Sequence, residues 1–455
     1  MRETDNEILK KAKIIEENAL YYGFDRLQIT EAAGKAIAEQ FGRDFGSGRS
    51  VAILCGIGRK GSFGLSVARH IAASNNTKLY IFGNVEHCRR PDFIHNLKII
   101  SNSFLPVNYC RDSAQVPKKI DAEVIIECLD EEEGGSSQII NSAIKAINAK
   151  ARKVSIEYPC NGVKTERTYS FIFKKSENAV VLDIGIPKEF LFFTGPANVK
   201  YLSQRTKASK KGDNGIILVI AGSKQYHGAA VYAGKAASMF SDLVFLLSER
   251  ENIPVLKKAS PELIVGEINR KNINGFCKRA DVVLLGPGLS DSKKNKRLVD
   301  FLFSSQNGKK FVMDASGFDL LNKKYLNERF LLTPHRGEFK RFFGCEASPK
   351  NVLEMAKKYK CNILLKGPID YISDGKAIYC NFSGNALMTA GGTGDVLAGV
   401  CAAFAATNPL LDSALAAAFL VGLAGDLIAK KSSGLNATKL IEKLPEAKKI
   451  CEVWL

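Results

Sequence analysis

The chain has 455 residues, of which 45% are hydrophobic and 25% charged, with a formal net charge of +18 and a pI near 9.3. Such a composition leaves room for two or three packed cores and excludes a disordered or fibrous chain. Eleven cysteines without a CxxC pair and only five histidines argue against a zinc site and for a reducing compartment, so the expected location is the cytoplasm.

The opening Met1–Asp5 is polar and lacks the apolar core of a signal peptide. Lys and Arg are scattered, with short runs at Lys207–Lys211, Lys293–Arg297 and Lys357–Lys360 that contain one aromatic, Tyr359. That pattern suits solubility and attraction of anionic nucleotides better than a nucleic-acid groove, so no nucleic-acid partner is expected. The most membrane-like stretch, Leu410–Ala429, carries Asp412 and Asp426, which would be costly in lipid; it reads as a buried helix, and no membrane partner is expected.

In chain order, apolar residues at helical spacing cover Asp5 to Phe41, with Thr30 as an N-cap for a helix over 31–41. A strand at Val51–Cys55 runs into Gly56-Ile57-Gly58-Arg59-Lys60-Gly61 and a helix over 62–73, the setting of a GxGxxG dinucleotide fingerprint. The following strand, Lys78–Phe82, ends at Gly83-Asn84 without a ribose-binding Asp or Glu, which weighs against a dehydrogenase. Strands at Val124–Cys128, Lys153–Ile156 and Ala179–Ile184 and a helix over 138–148 complete an alternating α/β pattern, which implies a mostly parallel sheet covered on both faces. Ligands in such sheets bind at the carboxyl ends of the strands, here Gly56–Gly64, Asp130–Gly135 and Glu157–Gly162.

Through residue 205 this order resembles the YjeF-type epimerase domain of NAD(P)H-hydrate repair proteins, through Leu54-Cys55-Gly56, Ala68-Arg69-His70 and Asp183-Ile184-Gly185-Ile186-Pro187. The family's turn GPGNNGGDG reads Gly56-Ile57-Gly58-Arg59-Lys60-Gly61-Ser62-Phe63-Gly64 here, and its substrate-contacting Asp in DIPSG is matched by Glu157. The resemblance therefore implies a degenerate epimerase site at Arg59, Lys60, Gly61, Ser62, Phe63 and Glu157, with the fold kept and weak or no epimerase activity. The family's potassium ion is not expected, because Arg59 and Lys60 would repel a cation; the rival is a working site in which Glu157 replaces the Asp and Lys60 supplies the metal's charge.

A loosened stretch between Pro187 and Gly212 reads as a connection, giving domains at 1–205 and 206–455. The second half repeats apolar runs that stop at polar or glycine-rich tips: Ile216–Ile220 before Ala221-Gly222-Ser223, Val282–Leu285 before Gly286-Pro287-Gly288, then Phe311–Ala315, Leu331–Glu338 and Asn362–Gly367. Near its end Gly391-Gly392-Thr393-Gly394-Asp395 precedes an apolar helix. Glycine amides and a helix N-terminus there would hold a phosphate, and Asp395 stands where a carboxylate can take a proton beside a bound nucleotide. The plainer reading makes Asp395 a cap and the glycines a turn.

Residues 207–455 resemble the ADP- or ATP-dependent NAD(P)H-hydrate dehydratases of the ribokinase-like superfamily, through Lys211–Gly215, Ser260-Pro261-Glu262, Thr333-Pro334-His335-Arg336-Gly337-Glu338, Lys366-Gly367 and the Asp395 loop in the family's order. The whole chain thus resembles the bifunctional NAD(P)H-hydrate repair enzymes: two three-layer α/β/α domains, Rossmann-like then ribokinase-like. The resemblance implies Asp395 as catalytic base and substrate contact, nucleotide along Lys366, Gly367, Pro368, Ile369, Asp370, Asn385, Gly391, Gly392, Thr393 and Gly394, and hydrate along Ala230, Gly288 and His335. It implies ADP or ATP with Mg²⁺, which Asp314 and Glu338 would orient through water, and a homo-oligomer of four or more copies. The implied reaction phosphorylates the hydroxyl of the S epimer of NAD(P)H hydrate and eliminates phosphate. The alternatives are a small-molecule kinase of the same superfamily, acting on a sugar, thiazole or pyridine alcohol, and an RNA-binding or assembly role for the first half.

Overall fold

The structure, a computed structural model, describes residues 3–129, 137–305 and 308–454, so the strand tip expected at 130–135 lies outside the described residues. It divides into two compact units, Met1–Pro187 and Lys188–Leu455. Residues 188–205, grouped with the first half by sequence pattern, pack within the second unit: Thr194 donates its amide to the Cys380 carbonyl and its hydroxyl to Asn381 Oδ1.

In the first unit, strands β1 (Ser50–Gly56), β2 (Asn76–Phe82), β3 (Val107–Cys110), β4 (Val124–Cys128), β5 (Arg152–Ile156), β6 (Arg167–Phe171) and β7 (Ala179–Leu182) form one parallel sheet in the order β3-β2-β1-β4-β5-β6-β7. The apolar runs are continuous because both faces are covered. Val51, Ile53 and Cys55 of β1 enter a core with the helices Arg26–Phe45 and Arg59–Ile71, while Ala52 and Leu54 enter another with Ile139, Ile140 and Ala143 of the helix Ser137–Ala146. Thr30 is not an N-cap. Asp25 caps that helix in a capping box with Gln28, so the helix starts earlier than predicted and Thr30, buried within it, donates to Asp92 Oδ2 at 3.0 Å.

The second unit carries β8 (Ile216–Ile220), β9 (Leu243–Ser248), β10 (Leu263–Glu267), β11 (Val282–Leu285), β12 (Lys310–Met313), β13 (Phe330–Leu332), β14 (Asn362–Leu365), β15 (Asp370–Ser373) and β16 (Ile378–Asn381), in the order β10-β9-β8-β11-β12-β13-β14-β15-β16. The sheet is parallel through β14 and ends in an antiparallel hairpin, β15–β16. The order reverses between β8 and β11, the kind of switch point where doubly wound sheets open a crevice. There the Gly222 amide donates to the Pro287 carbonyl, and a Cβ at Gly286, with φ of +123°, would lie 1.9 Å from the Asp314 carbonyl.

The helix Leu410–Ala429 is long and apolar enough to cross a membrane, yet 78% of that window is buried inside the chain, as befits a core helix. Small residues let its neighbours approach closely. A Cβ at Gly399, on the helix Thr393–Thr407, would lie 2.4 Å from the Ala233 carbonyl of the helix His227–Ser238.

Candidate active site

The tips of β12, β13 and β14 converge on the start of the helix Thr393–Thr407. Lys366 follows β14 and runs parallel to His335, its amide donating to the Pro334 carbonyl at 2.9 Å. Its ammonium donates to Asp314 Oδ1 at 2.6 Å, and that same oxygen accepts from Thr333 Oγ1 at 2.9 Å. A Cβ at Gly394 would lie 3.3 Å from Lys366 Nζ, so the cation sits directly beneath the glycine loop. Burial opposes the charge on Lys366, but Asp314, Glu338 and Asp395 outweigh it and raise its pKa.

Asp395 is the third residue of its helix, after an uncapped Gly392 at φ of +90°. Burial pushes its carboxyl up to about 7, Asp314 and Glu338 push the same way, and Lys366 moderates the rise. Glu338 is also raised, first by burial. The site therefore sets one ammonium among three carboxylates, with the acid best placed to take a proton titrating near neutrality, where a general base is most effective.

The loop is shaped by residues at fixed places. A Cβ at Gly392 would meet the Tyr232 ring at 2.7 Å, whereas one at Gly391 would meet nothing within 4 Å, so this side of the loop is open. Thr393 Oγ1 donates to the Met388 and Ala390 carbonyls. Asn385 donates to Asp426 Oδ1 and accepts from the Leu387 amide, and Asp426 also takes the Gly384 amide, so the carboxylate that looked costly in a membrane anchors the segment leading into the glycine loop.

Asp370 accepts from the Gly367 amide and from Asn381, tying the turn through Pro368 and Ile369 to the hairpin; burial raises its pKa to about 6. His335 is the N-cap of the helix Arg336–Phe343: its Nδ1 accepts from the Gly337 and Glu338 amides while the Glu338 carboxylate accepts from the His335 amide. With Nδ1 accepting, the proton of a neutral ring lies on Nε2, 3.4 Å from Glu338 Oε1. Gly288, at φ of +62°, packs against Tyr226 and Ala229, while Ala230 is fully buried under Gly222 and offers the crevice no side chain. Tyr232 was not singled out in the sequence, and Thr333 and Asp426 were named there only as part of a motif and of an apolar helix, with no role in the site.

Asp314 and Glu338 do not form a metal cage. Asp314 Oδ1 is held by Lys366 and Thr333, and among the described residues no three His, Cys, Asp or Glu side chains are grouped to hold a metal ion.

In the first unit the predicted residues do come together, as a closed cluster. Among the described residues Arg59 pairs with Glu16 and Glu157, Lys60 with Glu127, Lys175 with Glu157 and Arg90 with Asp92, and burial pushes the pKa of the Lys175 amine well below its usual value. Glu157 is buried at φ of +68°, a left-handed conformation uncommon for a residue with a side chain. Ser62 accepts from Arg90, and Phe63 packs edge-on against Phe171. Gly61 is required by contact, since a Cβ there would lie 1.8 Å from the Gly56 carbonyl. Beside the cluster a cavity of about 640 Å³ is lined by Tyr158–Gly162 and Lys174–Glu177.

With this geometry in view, comparison with known proteins gives consistent matches. Residues 26–180 match the family described as YjeF-related protein N-terminus, and residues 217–446 match NAD(P)H-hydrate dehydratase. The bifunctional NAD(P)H-hydrate repair enzyme Nnr of Archaeoglobus fulgidus is 34% identical over 96% of this chain and 97% of its own length. The ADP-dependent (S)-NAD(P)H-hydrate dehydratase of Nitrosopumilus maritimus is 37% identical over 54% of this chain and 92% of its own. A ribokinase-like superfamily protein of Enterococcus faecalis superposes with a TM-score of 0.54 at 26% identity, covering 57% of this chain and 96% of that one. Both domain models in this order, together with a relative similar along nearly the whole length, show that the chain belongs to the bifunctional NAD(P)H-hydrate repair enzymes.

Proposed function

We propose that the second unit dehydrates the S epimer of NAD(P)H hydrate at the expense of a nucleotide, restoring NAD(P)H. The observation that carries this reading is a half-buried Asp395 titrating near 7 at the mouth of a glycine loop, directly above the Lys366–Asp314 pair. The ring hydroxyl is a poor leaving group. Asp395 takes its proton as the oxygen bonds to the terminal phosphorus and the phosphoanhydride bond breaks, and the amides of Gly391 to Gly394 hold the transferring oxygens. The carbon–oxygen bond then breaks with phosphate leaving, the neighbouring carbon gives up a proton, and the ring double bond returns.

Lys366, Gly367, Pro368, Ile369, Asp370 and Asn385 line the nucleotide in this reading, and Gly288, His335 and the backbone at Ala230 line the hydrate. ADP is the preferred nucleotide, in keeping with the Nitrosopumilus relative named for ADP. Asp314 and Glu338 are the residues that would hold a nucleotide-bound Mg²⁺, through water, and the ion would supply neutralisation of part of the phosphate charge. The alternative of a small-molecule kinase is weakened by the first half, whose match runs over residues 26–180. That half is assigned weak epimerase activity at most, since Arg59 and Glu157 are paired with each other and Lys60 with Glu127. Eleven free cysteines fit a reducing, cytoplasmic setting, and a homo-oligomer stands as the expected assembly.

The test is recovery of reduced-nicotinamide absorbance from a hydrate epimer mixture with Mg²⁺ and either ADP or ATP. The expected outcome is recovery of the S half, faster with ADP, with phosphate and AMP released. No recovery with either nucleotide would overturn the proposal.

A further inference from the structure

Lys60 is 0% exposed and its partner Glu127 1%, which is rare for a lysine unless the charge is fully met. Its ammonium donates to Glu127 Oε1 at 2.8 Å and to the Tyr158 carbonyl at 2.7 Å, and lies 4.7 Å from the centre of the Tyr158 ring. Glu127 is held in turn: Oε2 accepts from Ser155 Oγ at 2.7 Å and from the Cys160 amide at 3.2 Å, and Oε1 accepts from the Leu129 amide. A carboxylate at the end of β4 and a backbone carbonyl after β5 thus converge on one point beside the glycine turn. That is the donor set a monovalent cation would use, and a side-chain ammonium already stands there. A potassium ion does not fit these residues.

We infer that the first unit carries its cation covalently: the Lys60 ammonium replaces a bound monovalent metal ion, making this half independent of potassium. The one-to-one pairing of Lys60 with Glu127, at 0% and 1% exposure, argues the same way, since a second cation there would add an unmatched buried charge. The inference holds whether or not this half epimerises anything.

Thermal unfolding of the full chain in KCl, NaCl or tetramethylammonium chloride at one ionic strength tests it, together with crystals soaked in thallium(I), which stands in for potassium. The wild type is expected to melt within about 1 °C in all three salts and to show no thallium peak between Glu127 and the Tyr158 carbonyl. Lys60→Ala opens the position. It is expected to melt roughly 6–12 °C lower in tetramethylammonium, to regain part of that loss in KCl or methylammonium chloride, and to bind thallium. Lys60→Met fills the space without charge and is expected to melt lower with no recovery in any salt. A potassium-specific rise in melting or a thallium peak in the wild type would overturn the inference, and so would a folded Lys60→Ala that responds to no cation. Should Lys60→Ala not fold, the wild-type thallium result decides alone.

Discussion

Both halves set a lysine at a glycine-rich helix start and pair it with a carboxylate at a strand end: Lys60, second residue of its helix, with Glu127 of β4, and Lys366, just after β14, with Asp314, just after β12. They differ in what surrounds the pair. Lys60 is sealed at 0% exposure against the single carboxylate of Glu127, while Lys366, at 18%, faces an open loop and shares its single charge among Asp314, Glu338 and Asp395. Matched burial makes a stable plug; mismatch leaves carboxylates with raised pKa values and a place for a charged ligand. One device thus serves as structure in one half and, in the proposed mechanism, as chemistry in the other.

The sharpest way to break this contrast is Asp395→Asn. It is expected to lower the dehydration rate by about 10²–10⁴-fold, the usual worth of a general base, with ADP affinity little changed by calorimetry. For the wild type, kcat/KM should rise with pH and level off above about 7, as Asp395 loses its proton. Stability should move the other way. The carboxyl is raised from 3.8 unfolded to about 7 folded, so its stabilising contribution is complete below the unfolded value and is lost as pH climbs through the folded one. Asparagine carries no such loss, so at pH 8 the variant is expected to be more stable than the wild type by up to about 4 kcal/mol in chemical denaturation. A variant that is inactive and also less stable at pH 8 would make Asp395 a structural cap.

Next in size are the two lysines. Lys366→Met and Lys60→Met each strand a buried carboxylate and are expected to cost about 3–5 kcal/mol. Only Lys366→Met should abolish dehydration of the S epimer; Lys60→Met should leave that rate within about twofold, as expected for residues that share no partner. Adding Asp314→Asn to Lys366→Met removes the stranded charge, so stability should recover while activity does not.

How much of this was legible in the sequence follows from the range of the interactions. Apolar runs bounded by glycine placed β1, β4, β8, β11 and β14 to within a residue or two, because strands buried on both faces need no partner to be recognised. The Asp395 loop was visible because its signal is local. The hairpin β15–β16 was not: its strands are four residues each and mostly half-buried, with no strong period. Nor was the plug around Lys60, whose partners lie 67 and 98 residues away, or the Asn385–Asp426 tie across 41. Thr30 misled because an Asp25 capping box five residues upstream offers the helix a better start.

The smallest effect separates two roles for one residue. His335 caps its helix through Nδ1 and is assigned a side along the hydrate, and either role alone would make His335→Ala harmful. The alanine variant should lose about 1 kcal/mol, a cap's typical worth, and raise KM. Asparagine is a good N-cap but lacks the imidazole's reach, so His335→Asn should regain the stability and keep the raised KM. If the asparagine variant recovers both, the histidine shapes the helix and touches no substrate, and the hydrate must lie nearer Gly288 and the strand ends at the β8–β11 switch point.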